Sequence, residues 1–198
     1  MAGVRLCTRQ MKNDSREWLL TSACGSFAMG ALARLPRRKY HGLWISRRVR
    51  AQGPEHILLD VLEHATLRQQ RRALANYDFG GAAGMDARSL ISKCETHDTP
   101  RGSVTWTYEL SPEEFLTRIL TLKDSDALCI QYKWNGTAPL SLELAPLFTL
   151  RDVHALSMEN LALDGTMSGS RFSPYLDYPT IRVQTEPPQP VIQTGRWY

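Results

Sequence analysis

VTWTYELSPEEFLTRILTL, residues 104–122, reads as two strands joined by a turn. Val104, Trp106 and Tyr108 alternate with Thr105, Thr107 and Glu109; Leu116, Arg118, Leu120 and Leu122 alternate with Phe115, Thr117, Ile119 and Thr121. A period of two is that of a strand with one covered face. Downstream, Leu128, Ile130, Tyr132 and Trp134 share one parity and stop at Asn135-Gly136, which predicts a type I′ hairpin into Leu140, Leu142 and Leu144. Ile181 and Val183 alternate in a last strand, and Pro187, Pro188 and Pro190 exclude a central strand beyond them. Strands of this kind, with turn residues every roughly 8–12 positions, predict a mainly β chain folded as an antiparallel β-sandwich.

Upstream, EWLLTSACGSFAMGALARLPRRKYHGLWIS, residues 17–46, combines an apolar run, glycine turns, a basic knot and a Tyr-His-Gly triplet. Pro36 stops any helix. From Tyr40 large residues fall on both parities, predicting a strand covered on both faces. Residues 56–75 are ambiguous, and the residue pattern alone leans to helix over 56–66. Ile57, Leu58, Val61, Leu62 and Ala65 have helical spacing, whereas Leu59, Val61, Leu67 and the β pattern around them allow strands. Gly80, Gly81 and Gly84 form a plain loop without the spacing of a phosphate-binding motif. Residues 1–16 read as a polar lead-in, and 17–198 as one domain.

Apolar residues make up 42% and charged residues 22% of the 198, which fits a globular domain rather than a disordered chain. The net charge of +4 is concentrated around Arg34 to Lys39, Arg47 to Arg50 and Arg68 to Arg72. Such clusters fit either solvated surface charge or a nucleic-acid footprint. Cys7, Cys24, Cys94 and Cys129 have no zinc-ribbon spacing and read as free thiols of a reducing, cytoplasmic compartment. No secretory leader and no apolar run of membrane-spanning length is evident. No cofactor or metal site is expected.

Two constellations could carry chemistry. Arg38, Tyr40 and His41 supply planar polar groups and an aromatic ring, the means by which hydroxyl-rich or anionic ligands are held; alternatively, Tyr40 packs and His41 bonds a neighbouring strand. Arg151, Asp152 and His154 lie in an irregular stretch, 151–165, that also holds Glu159 and Asn160. There Asp152 either orients His154, pairs with Arg151 or staples the loop. Glycoside hydrolysis needs two carboxylates roughly 5–10 Å apart. Glu17, Asp60, Glu63 and Asp152 are scattered, and their spacing pairs no two of them.

The segment 17–46 resembles the opening of bacterial and archaeal-type glycogen debranching enzymes (amylo-α-1,6-glucosidases), at Glu17 to Thr21, Gly25, Phe27, Ala28, Gly30, Arg38 and Tyr40 to Leu43. TWTYEL at 105–110 and LSLELAPLFTLRDVHALSMEN at 140–160 are similar to later segments of that family, in the same order. Ser22, Ser26 and Lys39 depart from its pattern; Ser26 stands where the family has a second turn glycine, and Ser tolerates φ > 0 poorly.

The resemblance implies an N-terminal, galactose-mutarotase-like supersandwich and strands rather than helix over 56–75. It implies an (α/α)6 catalytic toroid as partner, absent from this chain, with Trp197-Tyr198 reading as the start of a further element and the sandwich as incomplete at its C-terminus. The parent would hydrolyse α-1,6 branch points of glycogen. This chain would be inactive alone, would reach α-glucan through Arg38, Tyr40, His41, Arg151, Asp152 and His154, and would bind neither nucleic acid nor membrane. An autonomous carbohydrate-binding module is the alternative, with a basic nucleic-acid-binding β protein behind it.

Overall fold

A computed structural model describes residues 14–50, 53–77, 87, 90–98, 102–156 and 164–189. The glycine loop at 80–84, the pair Glu159-Asn160, Trp197-Tyr198, Cys7 and most of the lead-in lie outside the described residues. The described residues form antiparallel sheets and contain no helix.

The first sheet contains β1 (Glu17–Thr21), β2 (Phe27–Ala31), β3 (Gly42–Arg50), β4 (Gly53–Leu67), β5 (Gln70–Ala73) and β10 (Leu140–Asp152). Its order is β1-β2-β3-β4-β10, with β5 pairing the far end of β4. The second is a meander of β6 (Ile91–His97), β7 (Ser103–Ser111), β8 (Glu114–Lys123) and β9 (Ala127–Trp134). Its alternation is the one legible in the sequence: Val104, Trp106 and Tyr108 face inward with Leu116, Arg118, Leu120 and Leu122. They pack on Trp18, Leu20, Leu43, Leu58, Val61, Ala65 and Leu67 of the first sheet, closing an antiparallel β-sandwich.

The first sheet is covered outside as well. A small hairpin, β11 (Arg171–Phe172) with β12 (Ile181–Arg182), sets Phe172 and Ile181 against Ile57 and Leu150. Ala75 and Tyr77 cover Leu147 beside Leu59 and Leu62. β4 is thus buried on both faces, so its sequence is almost continuously apolar. A register shift opposite Leu147 and Phe148 skips Leu59, so Leu58 and Val61 both reach the inner core. A bulge in a doubly covered strand therefore produces the helix-like spacing at 57–65, and the strand reading of the resemblance holds there.

Asn135-Gly136 is not a hairpin turn. β9 pairs with β8, whereas β10 crosses to the first sheet and pairs with β4. Asn135 Oδ1 accepts the Phe115 N–H at 2.5 Å and so extends the meander. Trp134 folds back to donate to the Ala138 carbonyl, and a Cβ on Gly136 would lie 2.6 Å from its indole Cε2. That close approach is what the glycine provides. At the other flagged turn, Gly25 takes φ +83° while Ser26 is not among the positive-φ residues. Ser26 is instead buried and donates to Asp126 Oδ1 at 2.6 Å.

Candidate functional site

The site lies where the turn before β3 meets the loop after β10. Tyr40 and His41 belong to that turn, not to the strand, which begins at Gly42. The His41 N–H donates to the Arg38 carbonyl at 3.0 Å, and His41 Nδ1 accepts the Arg37 N–H at 3.2 Å. With Nδ1 accepting, Nε2 carries the proton and donates it to Glu17 Oε1 at 3.1 Å. Arg38 Nε donates to the same oxygen at 2.8 Å. Burial pushes His41 below the usual imidazole range against the pull of Glu17. His41 is therefore a neutral, buried brace that ties the turn to β1.

Gly42 follows because another imidazole lies against it. His56 Nε2 donates to the His41 carbonyl at 2.7 Å. A Cβ on Gly42 would overlap that ring, with Cε1 at 2.7 Å. The Tyr-His-Gly triplet thus places the His41 carbonyl and the bare Cα of Gly42 against the His56 imidazole.

Arg151 joins the two segments. Its guanidinium donates to the Lys39 carbonyl at 2.6 Å and the Ala155 carbonyl at 2.6 Å, and more loosely to those of Asp152 and Val153. Asp152 Oδ1 accepts the His154 N–H at 2.7 Å, the loop staple among the readings open for it. Lys39 Nζ donates to the His154 carbonyl at 3.0 Å and stands 5.1 Å above the Tyr40 ring. Tyr40 Oη and His154 Nδ1 are 3.2 Å apart, with the rings edge-to-face at 5.7 Å and 82°.

All six residues expected to reach a ligand thus fall in one region, with different tasks. His41, Arg151 and Asp152 hold backbone. Arg38 and His154 are exposed and Tyr40 is half-buried, with exposed Lys39 beside them. Lys39 was legible only as part of the basic knot, since nothing in sequence places it against residue 154.

Two scattered carboxylates also meet, in the core. Glu63 receives Arg34 Nη1 at 2.5 Å, Arg118 Nε at 2.7 Å and the Tyr132 hydroxyl, while Asp60 receives Arg34 Nη2 at 2.9 Å. Arg118 stacks on Trp106, 5.0 Å from its centroid. The facing cations hold Glu63 below the usual carboxylate range despite complete burial. Two acids matched by two arginines and sealed from solvent are no acid/base pair. The adjoining void, between Trp18, Arg34, His41 and Trp106, measures only about 20 Å³. Among the described residues no group of His, Cys, Asp or Glu side chains is placed to hold a metal ion.

Several members of the basic clusters are paired or buried. Arg34 is in the core, Arg38 pairs with Glu17, Arg68 with Glu114 and Arg71 with Glu143. Cys24, Cys94 and Cys129 are free thiols. The glycogen debranching enzyme N-terminal family model matches residues 16–198. The chain belongs to that family. No curated protein and no solved structure matches it. As a debranching-enzyme N-terminal domain, it has two of its family-like segments, around residues 38–43 and 140–156, meeting at the Arg151–Lys39 contact.

Proposed function

We propose that this chain is the non-catalytic N-terminal sandwich of a cytoplasmic glycogen debranching enzyme. Residues 17–198 form its single domain behind a lead-in at 1–16. It supports an (α/α)6 catalytic domain of the same parent protein, and that domain carries the carboxylates that hydrolyse α-1,6 branch points. The Tyr40–His154 ring pair, with Arg38 and Lys39, lines the rim over which the α-glucan passes. No nucleic-acid or membrane role belongs to this reading.

The observation that carries it is the cross-bracing of turn 37–41 and loop 151–155, more than a hundred residues apart in the chain, by the Arg151 and Lys39 hydrogen bonds. Bracing of this kind fixes the ring pair in advance, and preorganisation of this sort lowers the entropic cost of binding. Electrophoresis through a glycogen-containing gel tests the rim. The protein should be retarded relative to a glycogen-free gel, and Tyr40→Ala or His154→Ala should relieve part of the retardation. Mobility unaffected by glycogen, or unaffected by either substitution, contradicts the rim assignment.

A further inference from the structure

At the other end of β4 lies an open cleft of about 400 Å³, within the range of small-molecule sites. It sits between the β4–β5 turn and the β7–β8 turn. Leu67, Leu110 and Pro112 give it apolar walls, and Gln70, Arg72 and Glu109 supply planar polar groups. Strain is concentrated around it. Arg68 and Gln69, the two residues between β4 and β5, have φ of +48° and +65°, and Glu113 beyond Pro112 has φ +63°. Glycine or asparagine is the economical choice at such turn positions. Non-glycine residues held in this region occur disproportionately where side chains are needed for function.

The side chains are preset. Arg68 is clamped by both oxygens of Glu114, at 2.5 and 2.9 Å, and Arg72 Nη2 donates to Gln70 Oε1 at 2.9 Å. Because Glu114 neutralises Arg68 and Glu109 offsets Arg72, the cleft presents donors and acceptors without a net field. Guanidinium, amide and carboxylate planes beside apolar walls match a neutral ligand with paired hydroxyls above a C–H face, and an anion would meet Glu109. We propose that this cleft is a second α-glucan-binding site, taking a linear malto-oligosaccharide segment. The choice of α-glucan among polyhydroxylated ligands rests on the function proposed above. Counted along β4 from Pro54, whose carbonyl holds Val153, to Leu67, the cleft is roughly 40 Å from the rim.

Amide-shift NMR of the whole chain, titrated with maltoheptaose and separately with inorganic phosphate, tests this. Maltoheptaose should give saturable shifts at Gln70, Arg72, Leu110 and Ser111, and Glu109→Ala or Gln70→Ala should weaken that binding at least fivefold with the rest of the spectrum unchanged. Unmoved cleft amides, an affinity unchanged in both variants, or cleft shifts with phosphate alone would overturn the proposal. Shifts confined to residues 38–41 and 151–155 would overturn the cleft and sustain the rim; shifts confined to the cleft would do the reverse.

Discussion

Thr149 has one hydroxyl proton and two acceptors for it. His56 Nδ1 lies 2.6 Å away and the His56 carbonyl 3.0 Å away. While His56 is neutral its Nε2 proton goes to the His41 carbonyl, so Nδ1 must accept from Thr149. Protonation turns Nδ1 into a donor and the hydroxyl swings to the carbonyl. Burial opposes this step and lowers His56 from 6.5 to about 4. Between those values the unfolded chain binds more protons than the folded one. Stability should therefore be full above pH 6.5 and decline as pH falls towards 4, by about 3 kcal/mol from this residue. Urea denaturation at stepped pH measures the loss, and a His56→Gln variant should lose most of this segment of the profile. Gly42→Ala drives a methyl into the same ring and should cost at least about 2 kcal/mol by urea midpoint. Glu63→Ala leaves Arg34 and Arg118 buried without their shared acceptor and should cost about 3–5 kcal/mol. A loss below about 1 kcal/mol would mean that the cluster is not sealed as described. Little of this was legible from residue order. Arg34 and Tyr108 are 74 residues apart and His56 and Thr149 are 93 apart; sheet-on-sheet packing brings the first pair together and the β4–β10 register the second.

At the scale of elements, the turn between β8 and β9 clasps the first sheet. Asp126 Oδ1 accepts Ser26 Oγ at 2.6 Å and Trp44 Nε1 at 2.8 Å, and its Oδ2 accepts Ser46 Oγ at 2.5 Å. Asp124 accepts the Ala23 N–H at 2.9 Å. Serine at position 26 is thus a ligand of this clasp, not a flawed copy of a turn glycine. Asp126→Ala should cost about 2–4 kcal/mol and alter Trp44 fluorescence, with Asp126→Asn milder because one acceptor oxygen survives. An Asp126→Asn variant as stable as the unsubstituted chain would deny the charge-assisted bonds. The strands of the meander were readable because each covers one face and leaves the other to solvent. β4 was not, because burial on both faces with a bulge erases period two. Asn135-Gly136 misled for a related reason: a local turn signal carries no information about which sheet the next strand joins.

For the whole molecule, the sandwich and the family were both legible, the first from alternation and the second from three ordered segments. The candidate residues were found as two separate groups, and their convergence needed the pairing of β10 with β4 to carry Arg151 to Lys39. What the described residues bring together is a braced surface and a buried, charge-matched cluster, neither of which supplies an acid and a base facing a substrate. Under the proposed function this chain holds glucan and leaves the hydrolysis to another domain. The most direct measurement is glucose release from a branched limit dextrin incubated with the purified chain. Release no higher than the substrate blank is expected; sustained turnover, proportional to the amount of chain added, would overturn the proposed division of labour.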